Sequence, residues 1–555
     1  MATTNGGAVL IEALRRNGVD TLFDLPGDPM GAVLSAARQA GMQSYSFRHE
    51  QAVAMAAQAY GYVSGRIGVG MVASGPAMTN AITGLTTAWA NCWPMLLVGG
   101  ASEAGRRGLG DFQETPQVEA AAPFCKWSIA MDDARRIPWF VSMALRKAHS
   151  GRPGPVYLDF PADVINARVE EEEISWEAAV PAPERLGADP ATVARAVQLI
   201  AGSERPLLLI GKGAAGSRAE TELREFVERM QLPFIPSPMG KGVVPDDHPL
   251  CVADARSFAL RNADLVVLVG ARFNWIFHFG QPPRFAPDVK VVQVEIDPDE
   301  IGNSIPATVG LVGDAQTVIA QLVNEAGTAA RRRLESPWLQ ALREEQQRNA
   351  EGIAPMVGSE EPLINLYRFF RELDAVAGPD SILVDDGEST MAVSRVMQVM
   401  KEPRRRLDAG VSGCMGVAVP YALGAQIAAP GSRVMCINGD YAFGWNGMEV
   451  ETAVRHGLPI LFVVANNGSV RKGAPVFQSA GFTADDAIHY ERMMEAFGGH
   501  AEFVATLPEL RPALERALAS GKTSLVNVII DPSAQRKPQP FSWLDRLGRM
   551  RYGAE

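Results

Sequence analysis

Two residue pairs near the C-terminal third could do chemistry. Gly439-Asp440 follows the apolar run "VMCIN", and Asn466-Asn467 follows "ILFVVA". A carboxylate, a carboxamide oxygen and a nearby backbone carbonyl make a hard, oxygen-only donor set. That set suits Mg²⁺, which keeps some water and takes further ligands from phosphates. The 25 residues between the pairs (441–465) suffice for one crossover helix, "GMEVETAVRHG", so both strand ends can share one rim. The backbone N–H groups of Tyr441 and Ala442 open that crossover and could meet the same phosphates. Taken singly, each pair reads as a polar turn ending a strand. Together, at this spacing, they read as a metal site.

The elements that must position this rim are spread over the whole chain. Its 555 residues suggest roughly three or four domains of about 150 residues. Short apolar runs alternate with helical patterns, the signature of parallel sheets covered by helices. "VPAPERLGADP" (180–190) and the charged stretch 331–362 divide the chain into α/β blocks at 1–180, 190–335 and 363–530, with a tail at 531–555. The fold class expected is α/β, with three doubly wound parallel-sheet domains. In such sheets ligands sit beyond the carboxyl ends of the strands, where Asp440 and Asn467 fall. No short repeat or low-complexity segment is visible.

Composition narrows the function. The net charge of -11 argues against a nucleic-acid partner. No apolar span of about 18 residues occurs, so no membrane crossing is expected. The five scattered cysteines form no CxxC pair, which points to a reducing, cytoplasmic setting without disulfides or zinc. The N-terminus reads as an amphipathic helix rather than a signal peptide. In the middle block, "GKGAAG" and "VEIDPDE" could hold a nucleotide or could be plain scaffold.

The Gly-Asp and Asn-Asn spacing resembles the thiamine-diphosphate-binding motif, and the resemblance extends along the whole chain. It is strongest to oxalyl-CoA decarboxylases and 2-hydroxyacyl-CoA lyases. The segments that carry it are "GDFQETPQVEAAAPFCKWS", "PSPMGKGVVPDDHPL", "VGARFNWIFHFGQPPRFAPDVKVVQVEIDP" and "QRKPQPFSWL". The resemblance implies a pyrimidine-binding domain (1–180), a central nucleotide-binding-like domain (190–335), a diphosphate-binding domain (363–530) and a C-terminal flap (531–555). It implies that Asp440, the Asn467 side chain and the Ser469 carbonyl hold Mg²⁺ on the cofactor's diphosphate. Glu50 would exchange a proton with the aminopyrimidine, because a carboxyl buried against an apolar ring holds its proton more tightly. A plainer reading makes Glu50 a helix-N-terminal carboxylate. Met415, in "GCMG", would bend the cofactor, and the Gly413 carbonyl would receive its 4′-amino group; Met415 could equally be core. Gln113 and Glu114 would face the cofactor as catalytic residues. Pro26, Gly27, Pro76, Asn80, Gly387, Glu388, Ser389, Gly439 and Val470 would complete the cofactor's surroundings. Relatives have Gly-Ala-Asn where this chain has Gly387-Glu388-Ser389, a Tyr at Arg471 and a Trp at Ser412. Asp28 is also unusual.

The implied reaction splits a 2-hydroxyacyl-CoA into formyl-CoA and an aldehyde or ketone, with an acyloin-type condensation in reverse. An oxalyl-CoA decarboxylase is the alternative. Only the lyase must deprotonate a substrate hydroxyl. Glu491 and Glu495 are weak candidates for that base, since exposed helix carboxylates would look the same. Arg536 and Lys537, in the tail, would meet coenzyme A phosphates. ADP in the central domain, a homodimer at least and a homotetramer by preference complete the expectation. The rivals are a non-catalytic acyl-CoA or nucleotide sensor and a flavin-dependent acetolactate synthase.

Overall fold

The computed structural model of the chain describes residues 2–327, 336–468 and 483–533. Three wholly parallel sheets dominate it. The first has the strand order Gln43–Ser46, Thr21–Asp24, Gly68–Val72, Met95–Ala101, Pro155–Pro161, Trp127–Ala130. The third runs Arg406–Leu407, Ile382–Asp386, Val434–Gly439, Leu461–Asn466, Ser524–Ile529, His500–Val504. Numbered within each domain, both orders are 2-1-3-4-6-5, so the two domains share one topology that no sequence repeat announces. The middle sheet has five strands, centred on Leu265–Val269. The expected fold class is therefore the observed one. A small antiparallel pair, Thr3–Asn5 with Arg168–Glu170, ties the chain start to the end of the first domain.

Order 2-1-3 puts a topological switch between the first and third strands of each outer domain, where helices leave in opposite directions and a crevice opens. In the third domain this crevice lies between Asp386 and Gly439. In the first it lies between Asp24 and Val72.

The outer domains meet through two helices. Glu50–Ser64 begins at His49, which takes an extended conformation and accepts the Gln51 N–H on its ring, and ends at Gly65 in the left-handed region. It carries five alanines (52, 54, 56, 57 and 59), all buried. Ala418–Ala428, also alanine-rich, packs on it. Small residues permit backbone contact: a Cβ added to Gly424 would lie 2.2 Å from the Ala56 carbonyl oxygen. Gln58 and the Tyr421 hydroxyl close this seam with a 3.2 Å hydrogen bond. A single apolar cluster continues through it, joining Val53, Leu208 and Phe462 from the three domains.

Candidate functional site

The rim expected from the two residue pairs exists. Val434–Gly439 and Leu461–Asn466 are hydrogen-bonded neighbours, with Gly439 opposite Ala465. Asp440 and Asn467 thus follow adjacent strand ends, about 5 Å apart across the sheet. Asp440 is buried, opens the helix Asp440–Asn446, and accepts the Tyr441 N–H on Oδ1 at 2.9 Å. Two details differ from expectation. The strand ends at Asn466 rather than Asn467, and the two asparagines divide their work. Asn466 is buried and bonded to the Ile488 carbonyl, Asn527 and the Gly468 N–H, while Asn467 stays half-buried at the rim. The crossover is two short helices, Asp440–Asn446 and Glu449–Arg455, rather than one. A Cβ at Gly447 would crowd the Phe443 carbonyl at 2.9 Å, so the chain turns tightly there.

Among the described residues no group of three His, Cys, Asp or Glu could hold a metal. The expected donor set has only one carboxylate, so this absence does not count against it. The rim fits a diphosphate in another way. Gly387, with φ +98°, faces Gly439 across the switch, and a Cβ at Gly387 would lie 3.2 Å from the Gly439 nitrogen. Bare backbone therefore lines the crevice from both strands. Glu388 is exposed and Ser389 half-buried at the start of the helix Glu388–Met397.

Sequence reasoning missed Asp386. It is wholly buried, and its carboxylate accepts from Gly387 N (2.7 Å), Gly416 N (2.8 Å) and Ala418 N (3.3 Å). It thereby fastens the switch strand to the loop that carries Gly413 and Met415. Burial pushes its pKa up to about 6, and the bonds from these backbone amides pull the other way. Met415 is 37% exposed, so it is a projecting side chain and not core. Gly413, at φ +60°, has no atom within 4 Å of an added Cβ. The signal for Asp386 was present: two acids inside "ILVDDG" are costly to bury unless used.

The first domain brings a second set together. Glu50 starts its helix half-buried and accepts from Asn80 Nδ2 at 2.9 Å, so these two expected residues form a pair. Pro76 is the first residue of the helix Pro76–Asn91 and is exposed. Pro26 and Gly27 are exposed just past the strand Thr21–Asp24. A Cβ on Gly27 would meet that of Ala73 at 2.6 Å. Gln113, at φ +55°, lies against Gly75 and accepts from Ser74 Oγ at 2.6 Å. The Ser74 backbone N–H donates to the Asp28 carbonyl at 3.2 Å, which gives Asp28 a place in the same turn. Glu114 is different. Its carboxylate collects the N–H groups of Gly108, Gly110 and Asp111, and these bonds hold its pKa below the usual range. It staples its own loop.

Glu491 corrects an expectation. It is buried at 5% exposure, not exposed. One oxygen meets His489 Nδ1 at 2.5 Å and the other accepts from Asn527 Nδ2 at 2.7 Å. With both oxygens engaged beside Asn466, it braces the strand end. Glu495 is exposed. Ser469, Val470, Arg471, Arg536 and Lys537 lie outside the described residues.

The "GKGAAG" turn borders a cavity of about 400 Å³ lined by residues of all three domains, Asp408 and Gly410 of the third among them. Lys212, Arg152, Arg185, Arg218 and Arg272 line it, with Glu295 and Asp314. Lys212 is bonded to Asn91 Oδ1 at 2.6 Å, and burial lowers its pKa to about 8. The glycines also serve packing: a Cβ at Gly211 or Gly213 would strike the Gly270 carbonyl oxygen.

The three domains each match a known sequence family. The thiamine pyrophosphate enzyme N-terminal TPP binding domain matches residues 4–121, the central domain 193–322, and the C-terminal TPP binding domain 385–528. The chain is 40% identical over 561 residues to 2-hydroxyacyl-CoA lyase 1 of Homo sapiens, covering 98% of this chain and 97% of that protein. It is 38% identical to oxalyl-CoA decarboxylase of Escherichia coli (strain K12), over 96% of each. The 2-hydroxyacyl-CoA lyase of Saccharomyces cerevisiae is 33% identical, over 98% of this chain and 99% of that one. With three family models matched in order and likeness from end to end, the chain belongs to the thiamine pyrophosphate enzymes, in the family of 2-hydroxyacyl-CoA lyases and oxalyl-CoA decarboxylases.

Proposed function

We propose that the protein is a thiamine-diphosphate-dependent carbon–carbon lyase. It cleaves a 2-hydroxyacyl-CoA to formyl-CoA and an aldehyde or ketone, and runs the condensation in reverse. The observation that carries this reading is the 40% identity to a named lyase over 98% of the chain. The residues fit the cofactor: bare glycine backbone lines the crevice, and an oxygen donor pair stands at its edge.

When bound, thiamine diphosphate supplies a nucleophilic carbon and then an electron sink. The chain's own groups do the rest. Asp440, the Asn467 carboxamide and the Ser469 carbonyl would hold Mg²⁺, a hard cation suited to gripping a diphosphate. Glu50 would hold and return a proton at the pyrimidine N1′, oriented by Asn80. Met415 would act as the wedge that keeps the cofactor bent, and the Gly413 carbonyl would receive the amino group. Gln113 would face the reacting atoms from the Gly75–Pro76 turn. Coenzyme A binding falls to other residues, Arg536 and Lys537 among them.

The full assembly belongs to the same proposal. Glu50 and Asp440 would serve different cofactors, so a homodimer is the minimum and a homotetramer the preferred state. Apolar side chains left open beside both rims support this, Phe112 at 66% and Trp445 at 58% exposure. The basic cavity at Lys212 suits ADP or another nucleotide. All five cysteines are free, which supports a cytoplasmic, reducing setting. No helix among the described residues is long and apolar enough to cross a membrane.

The decarboxylase is the second reading, favoured by the 38% identity to oxalyl-CoA decarboxylase. One assay separates the two: formyl-CoA release with thiamine diphosphate and Mg²⁺ across 2-hydroxyacyl-CoA substrates and oxalyl-CoA. Turnover of 2-hydroxyacyl-CoA alone is expected. Turnover of oxalyl-CoA alone overturns the lyase, and silence on both, with ligands still bound, selects a sensor.

A further inference from the structure

We propose that Glu449 is a positioning residue for Glu50. The inference rests on the reading of Glu50 as the proton-exchanging acid. Glu449 belongs to the third domain, in the crossover between Asp440 and Asn467. Its side chain leaves that domain. It is 1% exposed, and its Oε1 accepts the N–H groups of Arg48 and His49, both at 3.0 Å. Its Oε2 accepts from Thr452 Oγ1 at 2.6 Å. The two amides are those immediately before Glu50.

The same short stretch is held at other points. Arg48 Nε lies 2.7 Å from Glu451, Arg455 Nη2 donates to the Ser46 carbonyl at 2.7 Å, and His456 Nε2 accepts the Ser46 N–H at 3.2 Å. Residues 449–456 therefore grip residues 46–49. Only Glu449 is buried in doing so. Burial pushes its carboxyl pKa upward, against the bonds from Thr452, Arg48 and His49. Sinking a charge is costly, and an apolar side chain would fill the same space at no such cost. The carboxylate gives something packing cannot, a fixed direction for two amides. Glu50 is then set from two sides: its backbone entry by Glu449 and its carboxylate by Asn80. The crossover that follows Asp440 and the segment that precedes Glu50 are thus tied together within one chain. A displacement of about 1 Å at a reacting group can cost about 100-fold.

The test uses Glu449→Ala, Glu449→Asp and Glu449→Gln in the full-length protein, with Glu50→Gln as reference. Amide hydrogen exchange of residues 46–53 is measured without cofactor. Then exchange of the cofactor's C2 hydrogen is measured by acid-quenched NMR, per bound cofactor, with thiamine diphosphate and Mg²⁺ saturating. The Ala variant should expose the segment and slow C2 exchange by at least about tenfold, while cofactor affinity stays within about threefold. The Asp variant, one methylene short, should do the same and serves where the Ala variant does not fold. The Gln variant keeps an oxygen on both amides and should stay near wild type. Unchanged C2 exchange in the Ala and Asp variants, or unchanged protection at 46–53, overturns the proposal. If Glu50→Gln itself leaves C2 exchange untouched, the acid reading fails and this inference with it. If only the Glu449 variants are silent, the acid reading survives.

Discussion

The buried carboxylate of Asp386 makes a quantitative prediction for Asp386→Asn in metal-free protein. Three backbone amides satisfy it, at 2.7, 2.8 and 3.3 Å. Burial still outweighs them and takes the pKa from 3.8 to about 6. That gap corresponds to about 3 kcal/mol. Between the two values the folded protein keeps a proton that the unfolded chain has released. Wild-type stability therefore falls as pH rises from about 4 to about 6, and this contribution is flat above. Asparagine does not ionise and lacks the fall. For a cooperative unit of 150–250 residues, about 3 kcal/mol is worth about 6–12 °C in melting temperature. The variant's melting temperature should gain that much on the wild type between pH 4 and pH 7. The offset at any single pH also contains the lost Gly387 bond, so the change in the gap is the informative quantity. Asp385, likewise pushed up to about 6, titrates in both proteins and cancels. Calorimetry at constant ionic strength reads the gap directly. Parallel curves would show that the site pays no net cost for its charge, and would refute the reasoning.

Three further substitutions separate chemistry from architecture. Glu50→Gln leaves Asn80 an oxygen to bond and should hold the melting temperature, while kcat falls by about 10²- to 10⁴-fold. Met415→Ala removes a side chain that is 37% exposed, so stability should change by less than about 1 kcal/mol in denaturant titration. Its kcat should drop sharply, and an unaltered kcat would remove Met415 from the site. Gly424→Ala improves helix propensity by about 1 kcal/mol, yet its methyl would sit 2.2 Å from the Ala56 carbonyl oxygen. Overpacking costs about 1–3 kcal/mol or more, so the melting temperature should fall, and a rise would mean the seam is looser than it looks.

The residues that were legible in the sequence are those whose meaning is local. Asp440 and Asn467 stand next to apolar runs that can only be strands, so their place on a rim follows from the runs themselves. Glu50 opens a helix whose buried alanines are visible as a pattern. What escaped reading depends on partners far away in the chain. Glu491 looked like a surface acid because nothing near it in sequence announces Asn527, 36 residues on, as its cover. The shared 2-1-3-4-6-5 order of the outer domains is set by which strands pair, and pairing leaves no mark that a single chain's composition can carry. Glycines are ambiguous in a different way. In "GKGAAG" they suggested room for a ligand, and the cavity is there, but Gly211 and Gly213 are also required by the Gly270 backbone behind them. A glycine shows that something comes close without saying whether it is ligand or protein. The acids carry more information, because burying a charge is expensive enough to need a reason. Asp386 and Glu449 are both buried, and each accepts the backbone amides of a segment that carries a residue proposed to meet the cofactor.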